Sequence, residues 1–439
     1  MRYLKRLLVL TIALGAAFGD VSIHDLDEFI EFTNQVNTGT NFEGSTVFLE
    51  ADIDFGEGLT SDSNIIGNTT SRYFRGTFDG QGHRISNLKI NSTLPYVGLF
   101  GYAHYGMSIK DLTLDSTCSV TSSTNGNAYV GGLIGYCYAV SRPCSIENSI
   151  NLANVSFSGK SRATLYMGGL AGYMQGYSQT YTSSIRNCDN YGAVTQEGDT
   201  GTSYIGGVVG YLTTANATKF LQFCFNYGRV AREGKTSGEI FLGGIVGRAD
   251  STSTIYAANL QNCINFGAVH ASDLNSGVSN IGGIVGYYYQ GSSAYKYLRS
   301  CINYGTISCD KQSGNNMYLG GIAGFLYATS GSYTTDVRNC ANYGRIHILG
   351  GVGNSYVGGI VGYLGYSRYH YIYNCLNDGE ITHNGTISGG LYTGGIVGHN
   401  YYSHVENCLN MRTTPTATTT NSYPGGIVGY SGSYGYVDH

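Results

Sequence analysis

The chain has 439 residues, among them 66 glycines, 4 prolines and 40 tyrosines, with no tryptophan, 12% charged residues and a formal net charge of −4. Glycine without abundant proline or a three-residue period excludes collagen, and so few charged residues argue against a long coiled coil. No cationic excess exists to neutralise phosphates, so no nucleic-acid partner is expected, while 42% hydrophobic content rich in Tyr, Val and Ile favours packed β-structure over disorder.

Residues 1–19 read as a secretory signal. Arg2, Lys5 and Arg6 precede the apolar run from Leu7 to Phe18, and the small residues Ala17 and Gly19 mark a cleavage point. No later segment approaches ~20 continuous apolar residues, so no transmembrane segment is expected after the signal. Residues 20–95 read as an N-terminal cap with the opening coils. Ser22 with Asp25 resembles a capping box, Leu26, Phe29, Ile30 and Val36 keep helical spacing, and Gly39 ends the helix. Strands and turns are expected from Val47 to Ile53 and from Gly76 to His83.

From residue 96 to 430 the chain repeats itself. The octapeptide Tyr129-Val-Gly-Gly-Leu-Ile-Gly-Tyr136 recurs with its first glycine at Gly131, Gly168, Gly206, Gly243, Gly282, Gly320, Gly358, Gly394 and Gly425. The steps between copies are 37, 38, 37, 39, 38, 38, 36 and 31 residues. A near-constant period with small slips is the mark of one structural unit copied along an axis. A second element, Ile185-Arg-Asn-Cys-Asp-Asn-Tyr-Gly, places Cys188, Cys224, Cys263, Cys301, Cys340, Cys375 and Cys408 in register. Two residues later come Asn190, Asn226, Asn265, Asn303, Asn342, Asn377 and Asn410.

Earlier copies carry Leu88, Leu112 and Ser149 in the cysteine slot, so that slot is expected to face inward. The asparagine two places on shares its strand face, and a buried amide needs partners. A stack of asparagines, one per coil, satisfies itself along the axis. Tyr-Gly after each asparagine reads as a corner with positive φ. Short strands between such corners make a solenoid of parallel strands, about ten coils and roughly 45–50 Å long, in which each repeat needs its neighbours for burial. Either one large coil or two smaller coils per repeat fits the period. Residues 431–439 read as a C-terminal tail, and no cap comparable to the N-terminal one is legible.

Candidate chemistry is sparse. Asp52 and Asp54, near Asp79 and His83, are weighed as a metal or acid–base site against a simpler reading as turn residues. His399 occupies a tyrosine slot, and no His-Glu-x-x-His, Cys-x-x-Cys or P-loop pattern exists, so no cofactor or metal is expected. Eleven cysteines are an odd number; Cys137 and Cys144 are the expected disulfide, and the register cysteines are expected as reduced, buried fillers. Tyr366, Tyr369, Tyr371 and Tyr373 cluster as a candidate binding stripe for sugars or proteins, while Tyr287, Tyr288, Tyr289, Tyr401 and Tyr402 suggest Tyr-rich loops. The alternative is that tyrosine simply stacks on tyrosine. Asn68, Asn91, Asn154, Asn216 and Asn384 head glycosylation triplets.

The cores Gly131-Gly-Leu-Ile-Gly135 through Gly425-Gly-Ile-Val-Gly429, with the segment from Phe74 to Leu88 and Val97-Gly-Leu-Phe-Gly101 ahead of them, resemble the GLUG-motif repeat family. That resemblance covers roughly residues 21–430 and implies a right-handed parallel β-helix on a secreted or cell-surface protein. It implies an adhesin-like scaffold and no catalytic residue, and the tyrosines add glycans or cell-surface proteins as the expected partners. The other reading is a polysaccharide-degrading β-helix enzyme, a lyase or hydrolase.

Overall fold

The structure is a computed structural model. It describes residues 19–438 except 57–61, 141, 161, 178–182, 215–218, 253–257, 273–276, 292–295, 311–314, 330–334, 352, 366–369, 416–420 and 433–434. The expected signal therefore lies almost entirely outside the described residues.

The chain winds into a parallel β-helix built from five ladders. One coil shows them all: Ser183–Arg186, Asp189–Asn190, Val194–Gln196, Ser203–Gly206 and Val209–Thr214 lie in sheets one to five in that order. The sheets hold 13, 11, 9, 10 and 10 strands. Partners are one repeat apart: Tyr129 pairs with Tyr166, Tyr166 with Tyr204, and Asn190 with Asn226. One repeat is thus one coil, which rules out two smaller coils. Sheet one runs from Val21–Ile23 to Tyr436–Asp438, so residues expected as a tail add its last strand.

Alternation along each strand fills the interior. Ile109, Ile146, Ile185, Leu221, Leu260 and Leu298 stack in register in sheet one and are buried. The cysteine slot faces inward as expected, with Leu88, Leu112 and Ser149 buried in its earlier positions. Its thiols donate to carbonyls, as Cys188 does to the Arg186 carbonyl at 3.0 Å, and burial pushes the Cys188 thiol up to about 12. Cys137 and Cys144 form a disulfide, and nine cysteines are free. Thiol titration of the unfolded, unreduced chain is expected to give nine thiols. One or none would contradict the reduced column.

The chain turns at Asn-Tyr-Gly as expected, between sheets two and three, but the positive φ lies elsewhere. Positive φ falls on the residue before each cysteine slot, Asn187, Phe223, Asn262, Ser300, Asn339, Asn374 and Asn407, at 50–55°. Asparagine tolerates that region better than most residues, which explains its recurrence there. The glycine after tyrosine has no positive φ and is required by close approach instead. A Cβ on Gly228 would lie 2.0 Å from the Gly192 carbonyl oxygen of the preceding coil.

A helix, Leu26–Thr38, covers the N-terminal end of the stack. Asp25, rather than Ser22, is its N-cap, accepting the Glu28 amide at 2.9 Å, while the Ser22 hydroxyl donates to Glu50 across the neighbouring strand. Gly39 closes the helix with φ 120°. Phe29 and Phe32 meet Phe55, Phe74 and Phe78 edge-on or tilted, with ring centres 5.5–6.4 Å apart. At the opposite end Leu409 and Met411 remain 57% and 59% exposed, so the last described rungs have no such cover.

Candidate aromatic binding surface

The repeat asparagines form a continuous internal chain. Each amide donates to the next coil's amide oxygen, Asn190 to Asn226, Asn226 to Asn265 and Asn265 to Asn303, all at 2.8 Å. The same nitrogens donate to the carbonyl two residues on, as Asn226 does to Gly228. The octapeptide's second glycine packs directly on this chain: a Cβ on Gly207 would sit 2.3 Å from the Asn226 amide carbon. The two motifs are therefore one contact. This rigid spine holds the outer surfaces in fixed register.

Two aromatic surfaces result. The first borders the octapeptide. Tyr129, Tyr166, Tyr204 and Phe241 stack with centroids 4.8–4.9 Å apart, and Tyr136, Tyr173 and Tyr211 stack beside them at 4.9–5.0 Å. These rings are largely buried, and burial raises the Tyr129 and Tyr166 hydroxyls to about 12. Arg248 replaces a tyrosine here, lies over Phe241 and Tyr287 at 4.8 and 4.7 Å, and pairs with Asp250 at 2.8 Å. His399 fills another tyrosine slot and stacks on Tyr363 at 4.6 Å, as a substituted aromatic should. What sets this surface apart is burial: its rings are covered by their neighbours within and between coils.

The second surface is exposed. At the corner after each asparagine, Tyr191, Tyr227, Phe266, Tyr304 and Tyr343 stack with centroids 4.3, 4.8, 5.2 and 5.0 Å apart, and each is 39–46% exposed. Phe225, Ile264 and Ile302 point outward beside them in sheet two, partly buried, and Phe223 stands exposed at the adjoining corner. Together they make an apolar band across five coils, about 20 Å long at the usual strand spacing. Its ring faces are used along the stack, so it offers ring edges and tyrosine hydroxyls. That suits flat contact with apolar-and-polar surfaces rather than insertion of a sugar between rings. In the sequence these residues look only like turn formers, and their in-register recurrence is the signal of the band.

Of the predicted stripe, Tyr371 and Tyr373 stand in separate outward columns of the strand His370–Tyr373. Tyr366 and Tyr369 lie outside the described residues. Tyr371 shares a column with Asp336 and stacks on His404 at 4.8 Å, and Tyr373 follows Arg338 in the next outward column, under its guanidinium. Tyr287, Tyr288 and Tyr289 belong to the strand Val285–Gln290 rather than a loop. Alternation turns Tyr288 inward, where its hydroxyl donates to the Ala258 carbonyl at 2.6 Å and the buried Lys296 ammonium lies 3.9 Å from its ring centre. Tyr401 is exposed and meets Tyr402 edge-on.

The candidate acid–base group resolves into turn contacts. Asp52 accepts the Arg84 amide at 3.0 Å and lies 3.1 Å from the His83 ring nitrogen; the amide bond is the leading cause of its lowered pKa. Asp54 accepts from Asn87 and Gly56, and Asp79 pairs with Lys110 at 2.7 Å. Among the described residues no group of three or more His, Cys, Asp or Glu side chains could hold a metal. Of the glycosylation triplets, Asn91, Asn154 and Asn384 are exposed, Asn68 is half-buried, and Asn216 lies outside the described residues. No helix among those residues is long and apolar enough to cross a membrane.

Buried histidines make the stack acid-sensitive, His399 being pushed down to about 4 by burial like the more deeply buried His370. His370 is fully buried in sheet one, 3.1 Å from the Gly365 carbonyl, and burial pushes its pKa from 6.5 down to about 4. The folded state prefers the neutral ring, so this contribution is whole above pH 6.5 and is lost as pH falls towards 4. The urea midpoint is expected to fall across that window and to fall less in His370→Gln. A midpoint equally steep in the variant would remove His370 from the account.

These observations define a parallel β-solenoid whose repeats carry an internal amide spine and an exposed aromatic band. No protein-family model matches the chain, and no curated protein matches it. Among solved structures it is similar to one from Bacteroides ovatus named a "putative immunoglobulin A1 protease", at 17% identity and a TM-score of 0.39, over 96% of this chain and 84% of that one.

Proposed function

We propose that this chain is a non-catalytic, secreted or cell-surface repeat protein of the GLUG-motif kind, which displays a rigid binding face for glycans or cell-surface proteins. The observation that supports this reading is the exposed column Tyr191–Tyr227–Phe266–Tyr304–Tyr343 beside outward Phe225, Ile264 and Ile302. A contiguous exposed apolar band of this kind marks an interaction surface. Aromatic residues are also the side chains most enriched at such surfaces.

The test is retention of the purified chain on intact cells and on immobilised glycans, with soluble products assayed in parallel. Retention without cleavage is expected, and it should drop in Tyr227→Ser/Phe266→Ser/Tyr304→Ser. New reducing ends or unsaturated sugars would contradict this function and favour the lyase or hydrolase. Equal retention of the variant would remove the band from the proposal.

A further inference from the structure

We propose that the cleft lined by Lys160, Arg162, Asp199, Thr200, Lys235 and Ser237 binds an anionic polysaccharide. This inference rests on the surface-binding reading above and supplies a ligand class on a different part of the coil. The cleft lies in the turns between sheets three and four and has a volume of about 510 Å³, within the range of ordinary ligand clefts.

Register brings the charges together. Lys160 pairs with Asp199 and Thr200 with Thr236, so Lys160, Asp199 and Lys235 stand on consecutive rungs. The two ammonium-bearing residues are then two rungs apart, about 10 Å along the axis, a separation that neighbouring acidic groups on a sugar polymer can span. Arg162 adds a planar guanidinium suited to sulfate or carboxylate.

These three cations differ from most others on the surface. Arg229 pairs with Glu233 at 2.7 Å, Arg412 with Asp378 at 2.8 Å and Arg345 with Glu380 at 3.5 Å. Among the described residues Lys160, Arg162 and Lys235 make no ion pair, although all three are exposed. Asp199 is the one carboxylate in the lining among the described residues, and one of its oxygens already accepts the Lys235 amide at 3.0 Å. A chain of net charge −4 thus concentrates positive charge in one cleft.

The floor is fixed. The buried Thr200 hydroxyl lies 2.7 Å from Ser203 and 3.2 Å from Thr236, and accepts from the Gln196 amide at 2.9 Å. The backbone that carries the cations is therefore held in place, and binding has only their side chains to order. Among the described residues no aromatic ring lines the cleft to stack a base, which favours sugar over single-stranded nucleic acid.

The experiment uses the full chain against immobilised dextran sulfate, polygalacturonate, neutral dextran and single-stranded DNA. Binding to one or both acidic polysaccharides is expected, weakening as salt is raised. Sulfated against carboxylated polymer distinguishes the two anion sources. Lys160→Gln/Arg162→Gln/Lys235→Gln should raise the Kd about tenfold, with its thermal midpoint unchanged because all three side chains are exposed. Equal binding by this variant, equal binding to neutral dextran, tighter binding to DNA, or no binding to either acidic polymer would each overturn the proposal. The aromatic-band variant separates the two readings. Polyanion binding intact there and lost in the triple variant assigns the ligand to the cleft. The reverse pattern overturns the cleft and leaves the band reading in place.

Discussion

Replacing Gly244 with alanine is expected to destabilise the stack by about 3 kcal/mol or more, whereas Gly426→Ala is expected to stay within about 0.5 kcal/mol of the parent. Both are the second glycine of an octapeptide. A Cβ on Gly244 would fall 2.1 Å from the Gly283 carbonyl oxygen and 2.3 Å from the Asn265 amide carbon. Neither neighbour can yield, because each is locked between rungs by the same contact one coil further on. A Cβ on Gly426 would meet nothing within 4 Å. The same substitution in the same motif is therefore severe or silent according to whether a coil stacks on it. Urea midpoints of the two variants check this; equal shifts would show that the motif glycine is needed for its own backbone rather than for stacking.

Asn265→Leu is the second large effect, again about 3 kcal/mol. Leucine keeps nearly the same side-chain shape, so the loss measures hydrogen bonding. The substitution removes the bond to Asn303, the bond accepted from Asn226 and the bond to the Gly267 carbonyl, each 2.8 Å. It leaves a donor on Asn226 and an acceptor on Asn303 unpaired in a fully buried column. Repeat stability is close to a sum of units and nearest-neighbour interfaces, so the damage should be local. Hydrogen exchange should accelerate in the coils holding Asn226, Asn265 and Asn303 while the N-terminal coils keep their protection. Exchange unchanged in those three coils would mean that the amide chain adds nothing to cohesion.

Much of this architecture was legible because its physics repeats. Leu88 and Leu112 sharing a slot with Cys188 identified that slot as inward, and period-two alternation then carried the asparagine inward with it. Cys137 and Cys144 stood out because they flank a loop. The positive φ was misplaced because glycine answers two demands, positive φ and the absence of a Cβ, and only the coordinates separate them. At Gly192 and Gly228 it is the second; the positive φ sits on Asn187 and Phe223. Tyr288 was misassigned to a loop because its strand continues beyond the octapeptide, which the motif does not announce. The exposed aromatic band was spelled out in every Asn-Tyr-Gly, yet its meaning depends on rings from different coils meeting. The cleft cations Lys160 and Lys235 follow Gly159 and Gly234 as Asp199 follows Gly198, but the charge at that position changes sign from coil to coil, so the repeat alone did not group them.

The account turns on one rung per repeat, held in register. Thr121, Ser156, Thr195, Ala231, His270, Ser308, His347 and Thr382 occupy one outward column of sheet three on successive coils. Spin labels attached at Thr121 and Thr382 through non-cysteine chemistry therefore report the axial rise directly. Pulsed dipolar spectroscopy is expected to give a narrow distribution near 34 Å, seven rungs at the usual strand spacing. A distribution centred near twice that distance, or one spread broadly with no preferred value, would contradict the stack.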